Sequence, residues 1–395
     1  MDFHDTIRAG LNALTATGDL RRIPSHNCGT LVNLSSNDYL GLASDESLRD
    51  EFLSSLPPSA FRFSSSSSRL LSGNCAEAEE LEKTLATAYG GAVSRESGGA
   101  VSPKPPLASL VFGSGYHANA GIIPALAAAD KSTEFFADKL SHASIIDGLR
   151  LSGAKFARYR HNDLDDLARL LAESNAKTKI IITESIFSMD GDVTDLRRFV
   201  ALKRATPGTL IYLDEAHAVG VRGGGGLGLA EETGTLTDID ILVGTFGKAL
   251  ASTGAFAVCA PHIREWLVNK ARTLIYTTAL PPLNLRWTDF ILGKLATPDF
   301  RARRERLRVI SERVRATLAA AGHPCASASH IIPVMCGTSA AATAYSEHLA
   351  SHGFRAPPIR PPTVPDGAAR VRLSLNSALT DNECAKLERA CDYRR

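Results

Sequence analysis

From residue 107 onward, short apolar runs alternate with helical stretches, and this alternation constrains the fold more than any other feature of the chain. The runs lie at 107–112, 180–183, 210–213, 239–243 and 255–260. Strands buried on both faces read as nearly continuous apolar runs, whereas half-buried strands alternate. Such strands separated by helices predict an α/β architecture built on a largely parallel sheet. Sheets of this class carry their chemistry at the carboxyl ends of the strands. Gly113, Glu184, Asp214 and Thr245 all lie at run ends, which predicts one shared site.

The rest of the chain is organised around that block. Residues 5–22 read as an amphipathic helix, with Ile7, Leu11, Leu14 and Leu20 as its apolar stripe. A short strand is expected at 31–34. A helix is expected at 77–89, with Ala78, Leu81, Leu85 and Ala88 on one face. Residues 90–106 turn rich in Gly, Ser and Pro and predict a mobile surface loop. After Pro281-Pro282, residues 283–318 are helical and strongly charged, and short strands with a helix follow. These shifts predict an N-terminal arm at 1–48, a large domain at 49–290 and a smaller α+β domain at 291–395. The 395 residues suffice for such a division.

Composition excludes several function classes. A net charge of +2 gives no reason to expect nucleic acid or an anionic membrane as partner. The seven cysteines are scattered without a CxxC pair, so neither a metal site nor a disulfide framework is expected. A reducing, cytoplasmic compartment is therefore expected. Met1-Asp2-Phe3-His4-Asp5 lacks the apolar core of a signal peptide, and no apolar run is long enough to cross a bilayer.

Two strand ends carry the most specific chemistry. Thr245-Phe246-Gly247-Lys248 follows one buried run and brings an amine to the sheet edge. Thirty-four positions earlier another run ends in Asp214, with His217 three residues on. An amine able to form a Schiff base, beside a strand-end carboxylate, is the pair that pyridoxal 5'-phosphate requires. The lysine holds the aldehyde, and the carboxylate keeps the pyridine nitrogen protonated. Asp214 could instead serve only as a helix N-cap, but the company of Lys248 weakens that reading.

Other motifs are weaker alone. Gly113-Ser114-Gly115-Tyr116-His117 leads from a strand into a helix, where backbone N–H groups suit a phosphate; taken alone, an ordinary strand-to-helix turn is the better reading. His142 lies among small residues in Leu140-Ser141-His142-Ala143-Ser144. The glycines at 223–228 lack the Lys-Ser/Thr of a P-loop and read as a flexible connection. The serine run at 64–68 suits a linker or a cavity wall. Arg370 and Arg372 alternate on a strand and so share a face, where one could grip a carboxylate; two solvated arginines are the plainer reading.

Taken together, these residues resemble the α-oxoamine synthases, pyridoxal phosphate enzymes of the class-II aminotransferase family. The similarity runs through Ser36-Asn37-Asp38-Tyr39-Leu40-Gly41-Leu42, Ser72-Gly73-Asn74, Leu140-Ser141-His142-Ala143-Ser144, Phe187-Ser188-Met189-Asp190-Gly191-Asp192, Asp214-Glu215-Ala216-His217 and Thr245-Phe246-Gly247-Lys248. It implies the aspartate-aminotransferase fold (fold type I), with a mostly parallel sheet in the large domain and a smaller α+β C-terminal domain.

It also implies roles. Lys248 would be the Schiff-base lysine, Asp214 the partner of the ring nitrogen, and His142 the stacking group. His217 would bond the phenolic oxygen. Ser188 and Thr245 would flank the cofactor, with Gly115 and Tyr116 at its phosphate end. Arg21, Asn37, His142, Thr363 and Arg372 would touch substrate, Arg372 through the amino acid carboxylate. Thr278 would reach the phosphate of the other subunit's cofactor, which implies a homodimer. The segment Ile359-Arg360-Pro361-Pro362-Thr363-Val364-Pro365, with Arg370-Val371-Arg372, implies L-alanine and a pimeloyl thioester as substrates. The thioester would be carried by coenzyme A or acyl carrier protein. Glycine- or serine-using members and a catalytically silent subunit are the alternatives.

Overall fold

The computed structural model describes residues 2–17, 20, 23, 31–96, 106–323, 325–361 and 363–392. Among them the strands are, in chain order, β1 (Val32–Asn33), β2 (Ala108–Phe112), β3 (Glu134–Asp138), β4 (Lys155–Tyr159), β5 (Lys179–Glu184), β6 (Thr209–Asp214), β7 (Ile241–Thr245), β8 (Ala255–Cys259), β9 (Ile331–Gly337), β10 (Phe354–Arg355), β11 (Pro358–Ile359) and β12 (Ala369–Ser374). The first five helices are α1 (Phe3–Ala16), α2 (Glu46–Ser54), α3 (Ala76–Glu96), α4 (Gly115–Ala127) and α5 (Ala143–Ser152). The chain divides into two compact units, one of residues 37–188 and 192–307, the other of residues 1–36, 189–191 and 308–395.

The larger unit is built on a seven-stranded sheet of order β2-β8-β7-β6-β5-β3-β4. Only β8 runs against the rest, antiparallel to β2 and β7. Every residue of β3, β5, β7 and β8 is buried, as apolar runs covered on both faces require. On one face, Ile122 and Ile123 of α4 and Ile145 and Leu149 of α5 join Leu110, Phe135, Ile182, Tyr212 and Val243 in one core. Full burial of each such side chain is worth about 1.5–3 kcal/mol. The five predicted apolar runs are all strands of this sheet. The sheet also contains β3 and β4, which the periodicity does not reveal.

The smaller unit holds an antiparallel sheet of order β11-β12-β9 and a parallel pair, β1 with β10. Its N-terminal helix α1 is shorter than the expected 5–22, and Thr17 closes it. Ile7, Leu11 and Leu14 are exposed on it.

Three further expectations change. Residues 90–96 continue α3 instead of starting a loop, with Ala92 and Val93 buried; residues 97–105 lie outside the described ones. The helix expected at 283–318 is two helices, Pro282–Lys294 and Pro298–Ala320, because Pro298 cannot continue the first. The glycines at 223–228 do not form a loose connection. Gly225 and Leu227 donate their N–H groups to the Glu231 carboxylate, at 3.0 Å each. Glu215, buried, accepts from Leu229 and Ala230 just beyond. The acceptors come from the chain itself, so this is no phosphate loop. The serine run is likewise pinned, with Ser65 Oγ donating to the Leu280 carbonyl. No helix among the described residues is long and apolar enough to cross a membrane.

Candidate active site

The carboxyl ends of β5, β6 and β7 lie side by side, since β5 pairs with β6 and β6 with β7 in parallel. Lys248 sits in the turn between β7 and β8, whose register closes at Thr245 opposite Ala255. Phe246 donates to the Gly254 carbonyl, Ser252 to that of Phe246 and Ala251 to that of Lys248, all at 2.9 Å. The fully buried Phe246 ring stacks on Phe256 with centroids 5.3 Å apart. Ala251 adopts φ 46°, a left-handed conformation that costs a residue with a Cβ roughly 1–2 kcal/mol. The turn therefore presents Lys248 from a tightly determined backbone.

The lysine amine lies 2.7 Å from His217 Nε2. His217 Nδ1 meets the Tyr39 hydroxyl at 2.6 Å, and that hydroxyl donates to Asn37 Oδ1 at 3.0 Å. A phenol has one proton to give. With Tyr39 donating to Asn37, His217 donates from Nδ1 and accepts at Nε2, so its lone pair faces Lys248.

Asp214 ends β6 almost wholly buried. Its Oδ2 accepts from Asn119 Nδ2 at 2.8 Å and its Oδ1 from the Ala216 N–H at 2.9 Å. No helix starts there, so the capping reading is set aside. Glu184, its neighbour across the ladder, accepts the His142 N–H at 2.6 Å. Burial, with the Asp214 charge adding to it, pushes the Glu184 carboxyl up to about 8. His142 caps α5 and accepts at Nδ1 from Ser144. Burial lowers its imidazole below the usual value and Lys248 adds to that, while Asp214 opposes it.

At the start of α4, Ser114 is the N-cap and Gly115 the first helical residue. A Cβ on Gly115 would sit 3.8 Å from Thr245 Oγ1, so the structure brings these two expected residues together. Beside them, His117 Nδ1 is buried without a hydrogen-bond partner, and a Cβ on Gly113 would come within 3.1 Å of it. Tyr116 is exposed and donates its hydroxyl to Asp147 at 2.6 Å. Thr278 is exposed, pairs with Ser68 and lines a small cavity with Gly113. Ser188 lies in the turn between Ile186 and Val193, which form an antiparallel bridge.

The larger unit thus assembles Lys248, His217, Asp214, His142, Thr245, Gly115 and Asn37. Thr363 and Arg372 belong to the smaller unit, Thr363 exposed and Arg372 on β12. Arg370 is not solvated: it is 5 % exposed and ion-paired with Asp190. Arg21 lies outside the described residues. Sequence reasoning missed two site residues, Tyr39 and Asn119. A lone asparagine inside the apolar helix α4 was the one signal that could have exposed the second.

The residues fit pyridoxal phosphate. A primary amine, a buried carboxylate with two donors fixing it, and a capped imidazole share one sheet edge. A glycine-flanked helix start with an orphaned imidazole nitrogen lies beside them, suited to an anion.

Comparisons with known proteins agree. Residues 29–391 match the family "Aminotransferase class I and II". A protein of Neisseria meningitidis serogroup A named "Putative 8-amino-7-oxononanoate synthase" is 47 % identical, covering 92 % of this chain and 91 % of its own. One of the same name from Haemophilus influenzae is 44 % identical, covering 96 % and 98 %. Among solved structures, a serine palmitoyltransferase from Sphingomonas wittichii has a TM-score of 0.85 at 29 % identity, covering 99 % and 98 %. The 8-amino-7-oxononanoate synthase of Francisella tularensis has a TM-score of 0.74 at 27 % identity, covering 92 % and 97 %. A structure described as serine palmitoyltransferase with pyridoxal phosphate has a TM-score of 0.83 at 28 % identity, covering 99 % and 98 %. The chain belongs to the aminotransferase class I and II family, as an α-oxoamine synthase whose cofactor is pyridoxal phosphate.

Proposed function

We propose that the chain condenses L-alanine with a pimeloyl thioester, releasing carbon dioxide and the free thiol and yielding 8-amino-7-oxononanoate for biotin biosynthesis. The observation that carries the chemistry is Lys248 Nζ at 2.7 Å from His217 Nε2, on the sheet edge that also holds buried Asp214. The substrate pair is supported by relatives 44–47 % identical that carry this name.

When bound, the cofactor supplies an electron sink for negative charge at the amino acid's α-carbon. The chain's residues do the rest. Lys248 anchors the cofactor and, once displaced by alanine, takes the α-proton. His217 holds the amine in reach through its Nε2 lone pair and bonds the ring's phenolic oxygen. Asp214 keeps a proton on the ring nitrogen, and His142 covers the ring face. Ser188 and Thr245 flank it, while Gly115 and Tyr116 receive the phosphate end. Arg372 grips the alanine carboxylate, Arg21 the far carboxylate of the acyl chain, and Asn37 and Thr363 line the substrate. Thr278 serves the cofactor phosphate of a second copy, so the working unit is a homodimer. The acyl group arrives on coenzyme A or on acyl carrier protein.

One observation favours a second reading, serine with a palmitoyl thioester: the TM-scores to serine palmitoyltransferases are higher than that to the oxononanoate synthase. The higher identities, 47 % against 29 %, favour the first. Thiol release decides between them, measured for alanine, glycine and serine against pimeloyl, acetyl and palmitoyl thioesters. Alanine with pimeloyl should be fastest. If serine with palmitoyl, or glycine with acetyl, outpaces it, the substrate assignment is wrong and the family stands.

A further inference from the structure

Asn119 sits in α4 at 1 % exposure, flanked by buried Ala118 and Ala120. A carboxamide in such surroundings costs stability unless its hydrogen bonds are made. Three are. The Tyr212 hydroxyl donates to Asn119 Oδ1 at 2.6 Å. Asn119 Nδ2 donates to Asp214 Oδ2 at 2.8 Å and to Ser144 Oγ at 2.9 Å. Strand periodicity explains two of these partners, because Tyr212 and Asp214 are two apart on β6 and share a face.

The sense of the amide is fixed by these neighbours. A carboxylate only accepts, so the NH2 group must face Asp214, and the oxygen then faces the hydroxyl of Tyr212. Ser144 Oγ accepts from Asn119 and gives its own proton to His142 Nδ1, 2.8 Å away. The Ser144 N–H points at the same nitrogen, at 3.3 Å. Nδ1 therefore accepts, and a neutral His142 carries its proton on Nε2. Burial, which lowers the His142 imidazole, favours that neutral form.

We propose that Asn119 is a positioning residue: one buried amide orients the Asp214 carboxylate and, through Ser144, sets the proton position on His142. The two side chains assigned to the ring nitrogen and the ring face are thereby fixed together. The inference rests on the functional reading only in assigning those two contacts.

Asn119→Asp tests it, because a carboxylate accepts where the amide donated. Ser144 would turn its proton toward the new carboxylate, leaving its oxygen to accept from His142 Nδ1. The readouts are the ¹⁵N signals of His142 in the full-length holoenzyme, identified by their loss in His142→Gln, and the cofactor dissociation constant. The parent should show a bare Nδ1 and a protonated Nε2. Asn119→Asp should move the proton to Nδ1 and, by setting a second carboxylate beside Asp214, weaken cofactor binding at least about tenfold. Ser144→Ala keeps the Asn119–Asp214 bond and covers the case in which Asn119→Asp fails to fold. It leaves only the weaker backbone N–H of residue 144, at 3.3 Å, among the two donors named for His142 Nδ1, so a minor population protonated on Nδ1 should become detectable, with kcat lowered more than KM is changed. A parent protonated on Nδ1 overturns the proposal. So does an Asn119→Asp enzyme with the parent's tautomer and affinity, or a Ser144→Ala enzyme with an unmixed His142 signal. The tautomer and the cofactor dissociation constant are read without the acyl donor. A tautomer shift in an enzyme that makes no amino ketone would therefore sink the substrate reading alone.

Discussion

The roles proposed for Lys248 and Asp214 differ, so their variants should fail differently. Lys248→Ala should still bind pyridoxal phosphate but release it on dialysis, and lose turnover; retained visible absorbance after dialysis with full activity would end the lysine's role. Asp214→Asn keeps the Ala216 contact yet removes the charge proposed to face the ring nitrogen. Its kcat should fall by several orders of magnitude, roughly 4 kcal/mol or more, and its melting temperature should drop as well, because the new NH2 group meets that of Asn119. A rate within a few-fold of the parent would reduce Asp214 to a turn residue. His161 supplies a prediction about stability instead. Its two nitrogens lie 2.9 Å from Asp138 and 2.8 Å from Asp192. Burial alone would lower the imidazole, but the two carboxylates outweigh it and push it up to about 10. The folded state then holds the proton more tightly than the unfolded chain. The stabilisation is complete below the ordinary value of 6.5 and fades as pH rises toward about 10. Melting temperature should decline across that window, and His161→Asn should flatten the decline while lowering stability at neutral pH. An unchanged slope in the variant would show that the ion pairs do not govern alkaline stability. Residues of this kind were unequally legible in the sequence. Lys248, Asp214 and His217 stand beside apolar runs that announce a strand end. Tyr39 and Asn119 reach the site from 178 and 95 positions away, and no local pattern records such a contact.

At the scale of elements, burial on both faces made β2 and β5 through β8 readable as apolar runs, whereas β3, equally buried, has too short an apolar run and β4 is largely exposed. In β3 only Phe135, Phe136 and Ala137 are apolar, between Glu134 and Asp138. β4 lies at the sheet edge with Lys155, Phe156 and Arg158 turned partly or wholly to solvent, the charged edge expected of a strand that must not recruit another. The extension of α3 through residues 90–96 was hidden by Gly90-Gly91, which read as a loop start. The packing of Ala92 and Val93 overrides the roughly 1 kcal/mol that each glycine costs in a helix. That extension has a use: Glu96 at its end accepts from the Leu236 and Thr237 N–H groups, at 3.3 Å each, at the start of the short helix Leu236–Asp238. Glu96→Ala should therefore cost about 0.5–2 kcal/mol, as loss of a cap does, read as a drop in melting temperature. Excising residues 90–96 should cost more, because it also removes two buried side chains. An excision that leaves the melting temperature unchanged would mean that this turn of helix is ornamental.

At the scale of the whole molecule, composition changes at Pro281-Pro282, but the compact units part at 307/308 and the smaller one also takes in residues 1–36; the order of strands was not visible either. Nothing local says that β8 reverses, or that β3 inserts between β4 and β5. If Gly115 and Thr245 hold the cofactor as proposed, that order makes cofactor capture a late event in the life of each new chain. Among the described residues β2 is an edge strand paired with β8 alone, and β8 starts at Ala255 while β2 ends at Phe112. Gly115 therefore cannot settle beside Thr245 until the ribosome has released β8. Before then β7 has β6 on one side and an open edge on the other, a hazard for self-association. Nascent chains stalled before Ala255 has emerged should take up no pyridoxal phosphate, whereas chains released after β8 should. Cofactor retention by the shorter stalled chain would show that the anion end of the site forms without its sheet. A cell short of translation speed through residues 113–254 would thus face aggregation of this chain rather than accumulation of an inactive, soluble form.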